Sequence, residues 1–243
     1  MRGLLGFRGQ RMSGRRNLTL PNLAGVINTA LPRLNPAWGI SSYTLPETLW
    51  ALIFCTGGGA AGNVDAVTAG GTWYGGGGAS AGHSKLLLPR ATKLDWSVGK
   101  GATPDFGGGG SGKAGVFGGD TTLTINGVLY GTAQGGRAPG VNAPAGRSTA
   151  TGFQVNRYGG GSGEAGQNGQ PQILVGAPYG GGAGGFRDMY PGATGDASDT
   201  NTFGGGGVPP TAAIGAGGGC ATDNSAACYG GNGQVLIMLF RPN

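Results

Sequence analysis

LWALIFCTGGGAAG, residues 49–62, sets an unbroken apolar run directly against a run of glycines. A short continuous apolar run bounded by turn-forming residues reads as a buried strand. The glycines that follow cannot contribute side chains to a core. The same arrangement recurs where Ile173–Val175 precedes the run beginning at Gly180. Runs of three or more glycines begin at 57, 75, 107, 159, 180, 204 and 217. Their spacing is irregular, which excludes a solenoid of fixed period, and no continuous Gly-X-Y register exists for a collagen helix.

Further strand signals surround this motif. Leu86–Leu88 is a short apolar run, and Leu94, Trp96 and Val98 alternate with Asp95 and Ser97. Leu123 and Ile125, then Val128 and Leu129, flank Asn126-Gly127, a strong two-residue hairpin signal. Val235–Phe240, VLIMLF, is the most hydrophobic segment and pins the C-terminal end into the core. No stretch of residues 47–243 sustains a helical period without an interrupting glycine, so little helix is expected there.

Glycine occupies 59 of the 243 positions, and charged residues make up only 11%. Ordering a glycine costs more backbone entropy than ordering any other residue. A stable fold with so many must place them where no side chain fits, or gain stability from partner chains. Three readings of the runs stay open: flexible loops, tight turns with positive φ, and packed polyproline-II-type segments whose backbone groups bond to neighbours. Aromatic residues beside many runs favour ordered glycine backbones. The fold class is therefore mostly β with glycine-rich turns or polyproline-II-type segments, and with an extended basic N-terminal arm.

That arm is residues 1–46, and the glycine-rich β domain is residues 47–243. Arg2, Arg8, Arg11, Arg15, Arg16 and Arg33 all lie in the arm, which contains no acid. The rest of the chain is neutral, so the formal net charge of +6 belongs to the arm alone. Docking to a partner protein or a neighbouring subunit is favoured over nucleic acid, because Phe7 is the one aromatic residue among the arginines and the body carries no basic footprint. Asn22–Leu31 is expected to form a short helix, capped by Asn22 and ended by Pro32. No signal peptide is expected from MRGLLGFRGQRM, and Leu49–Cys55 is too short to cross a bilayer as a helix.

Several stretches carry fragments of chemical motifs. Gly107–Ala114, GGGGSGKA, matches part of a phosphate loop, but Ala114 replaces the hydroxyl that would hold Mg²⁺, and neither a strand nor a helix signal flanks it. His83 is the only histidine, beside Ser84 and Lys85, and reads as a surface or hydrogen-bonding residue. Glu47 and Glu164 are the only glutamates, which offers little for a pair of catalytic carboxylates. Asp196 and Asp199 in a polar stretch lack the pattern of a calcium loop. Cys220 and Cys228 are spaced to close a small disulfide loop, leaving Cys55 free. Neither an enzyme, a cofactor nor a metal is expected.

The body, about residues 49–243, resembles the glycine-rich domain found near the C-termini of bacteriophage tail fibre and adhesin-like virion proteins. The resemblance rests on LWALIFCTGGGAAG at 49–62, WSVGKGATP at 96–104, GGDTTLTINGVLYGTAQGG at 118–136, YGGGAGGF at 179–186 and GGNGQVLIMLFRPN at 230–243. It departs from that family's layout in having no fibrous shaft. The resemblance implies a virion protein of the tail, a homotrimer, that attaches the particle to a bacterial surface protein or polysaccharide without entering the membrane. Recognition would then fall to exposed aromatics between strands: Trp73, Tyr74, Tyr158, Tyr179, Phe186, Tyr190 and Phe203. Two other readings remain: a purely structural capsid-decoration, spike-base or tail-assembly protein, and a non-viral cell-surface or matrix protein.

Overall fold

A computed structural model describes residues 22–29, 41–62, 76–103, 115–138, 140, 145–161, 214–215, 217 and 229–242. These residues are mostly β and contain no α-helix. The strands are β1 (Leu23–Asn28), β2 (Ser42–Thr44), β3 (Leu49–Thr56), β4 (Ala81–Leu88), β5 (Lys93–Ser97), β6 (Thr121–Ile125), β7 (Val128–Ala133), β8 (Ala150–Thr151), β9 (Val155–Arg157) and β10 (Gln234–Phe240). They form two five-stranded antiparallel sheets, ordered β1-β10-β3-β4-β9 and β2-β5-β6-β7-β8.

The inward faces of the two sheets make one core. Leu49, Ala51, Ile53 and Cys55 of β3 meet Val235, Ile237 and Leu239 of β10, with Leu94, Trp96 and Leu123 from the opposite sheet. Burial of the larger side chains, each worth about 2 kcal/mol, is the main force holding the layers together. The outer faces differ. Positions 50, 52, 54, 236 and 238 carry Trp, Leu, Phe, Leu and Met, which explains why β3 and β10 read as continuous apolar runs. On the second sheet, Lys93, Asp95 and Ser97 alternate with buried Leu94 and Trp96, as expected for a solvated outer face.

The turn at Asn126-Gly127 forms as the sequence indicates: both residues have positive φ, 50° and 81°, the geometry a two-residue hairpin demands. The helix expected over residues 22–31 does not form across its first part. Leu23–Asn28 is instead the edge strand β1, paired with β10 from Leu23↔Phe240 to Asn28↔Leu236 with a bulge after Leu23. Gly25 weakens a helix there, and the exposed edge of β10 offers partners that a lone helical turn lacks. Both β1 and β2 lie within residues 1–46, so part of the segment read as an arm belongs to the two sheets.

Beyond the strand ends, the glycine runs continue the strands. Thr56 pairs with Ala81, and in the same register Gly57 N–H donates to Ser80 O and Ala60 N–H to Gly77 O. Likewise β10 and β3 continue through Gly59 N–H to Gly231 O, β6 and β7 through Gly118 N–H to Gly136 O, and β5 and β6 through Gly119 N–H to Lys100 O. New bonds also join the two sheets. Gly58 N–H donates to Gly119 O and Ala61 N–H to Val116 O, both at 2.9 Å. Gly77 and Ser80 donate to Arg137 and Gln134, and Gly230 and Gly233 to Ala102 and Gly99.

Along residues 57–61 the acceptors follow in the order Ser80, Gly119, Gly231, Gly77, Val116. The neighbouring segment therefore repeats at every third residue, whereas a strand returns to the same neighbour at every second. A period of three, with every bond made to another segment, is that of a polyproline-II helix. The described runs thus form a bundle of such segments. Among the described glycines, positive φ is confined to Gly127, Gly152 and Gly215, so these runs are not a series of tight turns.

Glycine is required here by distance. Side chains hold the sheets of a sandwich about 10 Å apart. Without side chains the backbones close to hydrogen-bonding range. A Cβ placed on Gly118 would overlap the carbonyl oxygen of Gly58, and one on Gly136 that of Gly77. At the junction, buried Thr121 bridges the layers: its Oγ1 donates to Thr56 O at 2.7 Å and accepts from Gly99 N–H at 2.9 Å.

Candidate functional site

The sandwich has two unlike ends. At one, the chain enters at Asn22, whose carbonyl accepts from Arg241 N–H at 2.8 Å. Arg241 Nε in turn bonds Glu47 Oε1 at 3.0 Å, and the Asn126-Gly127 turn closes β6 and β7 on the same side. At the other end stands the glycine bundle. There described stretches end at residues 62, 103, 138 and 161 and others begin at 76, 115, 145 and 229. The bonds Ala61–Val116, Gly77–Arg137 and Gly230–Ala102 bring these stops and starts to the far face of the bundle.

Of the aromatic residues named from the sequence, Tyr158 is within the described structure. Trp73, Tyr74, Tyr179, Phe186, Tyr190 and Phe203 lie outside the described residues. So do Arg2, Arg8, Arg11, Arg15, Arg16 and Arg33, the Cys220 and Cys228 pair, the Gly107–Ala114 motif and the strand signal at Ile173–Val175.

Around Tyr158 the bundle builds a polar flank. Ser148 and Gly159 exchange backbone bonds at 3.3 and 3.1 Å, a pairing that sets Thr149 opposite Tyr158 and turns both side chains to the same face. The Arg147 guanidinium lies over the Tyr158 ring, 4.6 Å from its centroid. Gln134, which continues β7, anchors the group. Its Oε1 accepts from Thr149 N–H at 3.2 Å, Thr149 Oγ1 at 3.1 Å and Arg137 Nη2 at 3.2 Å. Arg137, Arg147 and Thr149 are exposed, while Gln134 and Tyr158 are half-buried.

Compared with models of known protein families and with curated protein sequences, the chain matches none.

Two arginines, a phenol ring, a hydroxyl and an amide on one flank suit binding; among the described residues there, none is arranged as a nucleophile with a base. The sequence singled out Tyr158 because it precedes a glycine run. It did not single out its companions, which are joined by the β7–β8 register (Thr132↔Thr151, Ala133↔Ala150) and by the Ser148–Gly159 bridge. Neither pairing leaves a local signal.

The remaining titratable candidates stand apart from this flank. His83 is half-buried on the outer face of β4, with its ring centroid 5.5 Å from that of Phe54. Burial, and then the positive charge of Arg157, hold its pKa below the ordinary 6.5. Cys55 is free and wholly buried in the core, and burial pushes its thiol far above the ordinary range.

Proposed function

We propose that this chain is a bacteriophage virion protein, a tail fibre tip or adhesin-like component that attaches the particle to the bacterial surface. The observation that supports this reading is the polarity of the sandwich. The chain enters at one end, beside Arg241 and Glu47. The connections between glycine runs start and finish at the opposite end. A basic N-terminal segment docks onto the rest of the particle at the first end, and recognition falls to the second. A scaffold whose connections between glycine runs leave from one end suits recognition, because loops tolerate changes in length and composition without disturbing the core.

On this reading the protein binds rather than catalyses, and it works outside the cell as part of the virion tail, as a homotrimer. Three copies would bury part of the apolar outer face of β3 and β10 that one copy leaves half-exposed. The alternative is a structural subunit of capsid, spike base or tail with no receptor contact.

The test is competition. Purified protein is mixed with host cells before the particle is added, and adsorption is measured. Attachment requires that the protein slow adsorption in a dose-dependent manner. Undiminished adsorption at saturating protein, together with electron cryomicroscopy placing the chain between other virion subunits, overturns attachment in favour of the structural role.

A further inference from the structure

We propose that the flank formed by Gln134, Arg137, Arg147, Thr149 and Tyr158 binds an anionic saccharide unit, a hexose carrying a carboxylate or a phosphate. The proposal rests on the attachment reading above and names the class of surface group recognised.

The chemistry follows from what is held in place. A guanidinium presents planar N–H donors in a fixed fork that matches a carboxylate or phosphate. Two such groups lie on this flank, each fixed by a contact of its own: Arg137 through Gln134 Oε1 and Arg147 over the Tyr158 ring. Holding long side chains in place before binding removes part of the entropy cost of association. Arg147 covers one face of the ring and Tyr158 is half-buried, so the exposed part of the ring adds an apolar surface beside the cations, and a hexose offers both an apolar face and polar edges to match. The hydroxyl of Thr149 and the amide of Gln134 stand between the arginines, and Gln134 satisfies both Thr149 donors with a single oxygen.

Charge favours an anion. The domain beyond residue 46 is neutral in sequence, yet two cations gather here. The acid on the adjoining run, Asp120, directs Oδ1 to Gly135 N–H at 2.8 Å. The other described acids, Glu47 and Asp95, pair with Arg241 and Lys93 at a distance from the flank. The platform is also rigid. Ser148 Oγ donates to Gly78 O at 2.8 Å and is buried, which ties the strand carrying Arg147 and Thr149 to the glycine bundle.

The experiment titrates full-length protein with glucuronic acid and with glucose 6-phosphate, using glucose and inorganic phosphate as controls, by calorimetry and ligand-observed NMR. Both anionic sugars are expected to bind, and both controls about tenfold more weakly or not at all. Arg137→Gln with Arg147→Gln should weaken the anionic sugars by about tenfold, the loss of charge-assisted hydrogen bonds. Tyr158→Leu should weaken glucuronic acid more than inorganic phosphate, because it removes the ring as well as the contact that holds Arg147. An unchanged melting temperature certifies that each variant is folded. The proposal is overturned if neither anionic sugar binds, if inorganic phosphate binds as tightly as glucose 6-phosphate, or if the double variant binds as wild type does. Adsorption competition separates this proposal from the broader one. A double variant that competes as well as wild type removes the flank from recognition while attachment stands. Wild-type protein that does not compete removes attachment itself.

Discussion

The amide of Gly58 donates to the carbonyl of Gly119 at 2.9 Å, joining the continuations of β3 and β6, strands that belong to opposite sheets. Two residues earlier, at Thr56, the connection between the layers runs through the side chain of Thr121. The molecule thus passes from a sandwich filled by side chains to a bundle held by backbone.

That closeness makes particular glycines irreplaceable. Gly118→Ala forces a Cβ onto Gly58 O, and should cost about 3 kcal/mol by overpacking, a fall of roughly 10 °C in melting temperature for a chain of this size. Gly146→Ala is the control, since an added Cβ there meets nothing within 4 Å. Its melting temperature should stay within about 2 °C of wild type. Thermal unfolding followed by circular dichroism distinguishes the two, and equal effects would refute the steric account.

Thr121 tests the seam. Thr121→Val keeps the shape but deprives Gly99 N–H and Thr56 O of their shared partner. Buried polar groups left unsatisfied cost about 1–3 kcal/mol. Thr121→Ser retains the hydroxyl and should lose less than half as much in urea denaturation.

Cys55 should resist alkylation in the folded protein, because its thiol is buried and held protonated. Iodoacetamide treatment with peptide-level mass spectrometry should find Cys55 unmodified at neutral pH, and modified once urea unfolds the chain. Rapid labelling without denaturant would contradict the packing described for β3.

His83 should make stability depend on pH. Its folded pKa lies below 6.5, so the unfolded chain takes up the proton first. The contribution is complete above about pH 7.5, diminishes as pH falls through 6.5, and is exhausted below the folded pKa. Wild type should therefore melt at lower temperature at pH 5.5 than at pH 7.5, and His83→Gln should remove part of that difference. Identical pH profiles for the two proteins would rule His83 out as a source.

The legible parts of the fold are those with local causes. Leu94 and Trp96 alternate with polar neighbours, Asn126-Gly127 carries its turn in its own backbone preferences, and VLIMLF at 235–240 is apolar throughout and marks a strand. β1 was misread because residues 22–31 combine a cap residue with a terminating proline; the edge of β10, far along the chain, decides otherwise. β8 and β9 are too short to announce themselves, at two and three residues. In β4, Ala81–Lys85 carries no alternation, so only Leu86–Leu88 could be seen. Polyproline-II packing was one of three open readings of the runs. What selects it is bonding among segments as distant as Gly59 and Gly231, which composition does not encode. The flank at Tyr158 was half legible: the ring was visible beside its glycines, but its arginines come from two segments, after β7 and before β8, that only pairing brings near.

The continuous register between strands and glycine runs also has a mechanical meaning. A pull applied between Asn22 and the far face of the bundle acts along the strands. It loads the ladder bonds of β1 with β10, and through them those of β10, β3 and β4 and their glycine extensions, in shear, instead of peeling them apart in sequence. The bonds between layers, such as Gly58 to Gly119, distribute that tension across both sheets. Because the buried positions 57–62 and 76–80 of the bundle are glycine, alanine and serine, its interior has few side chains to rearrange, and it should behave as a stiff coupling that transmits force with little give.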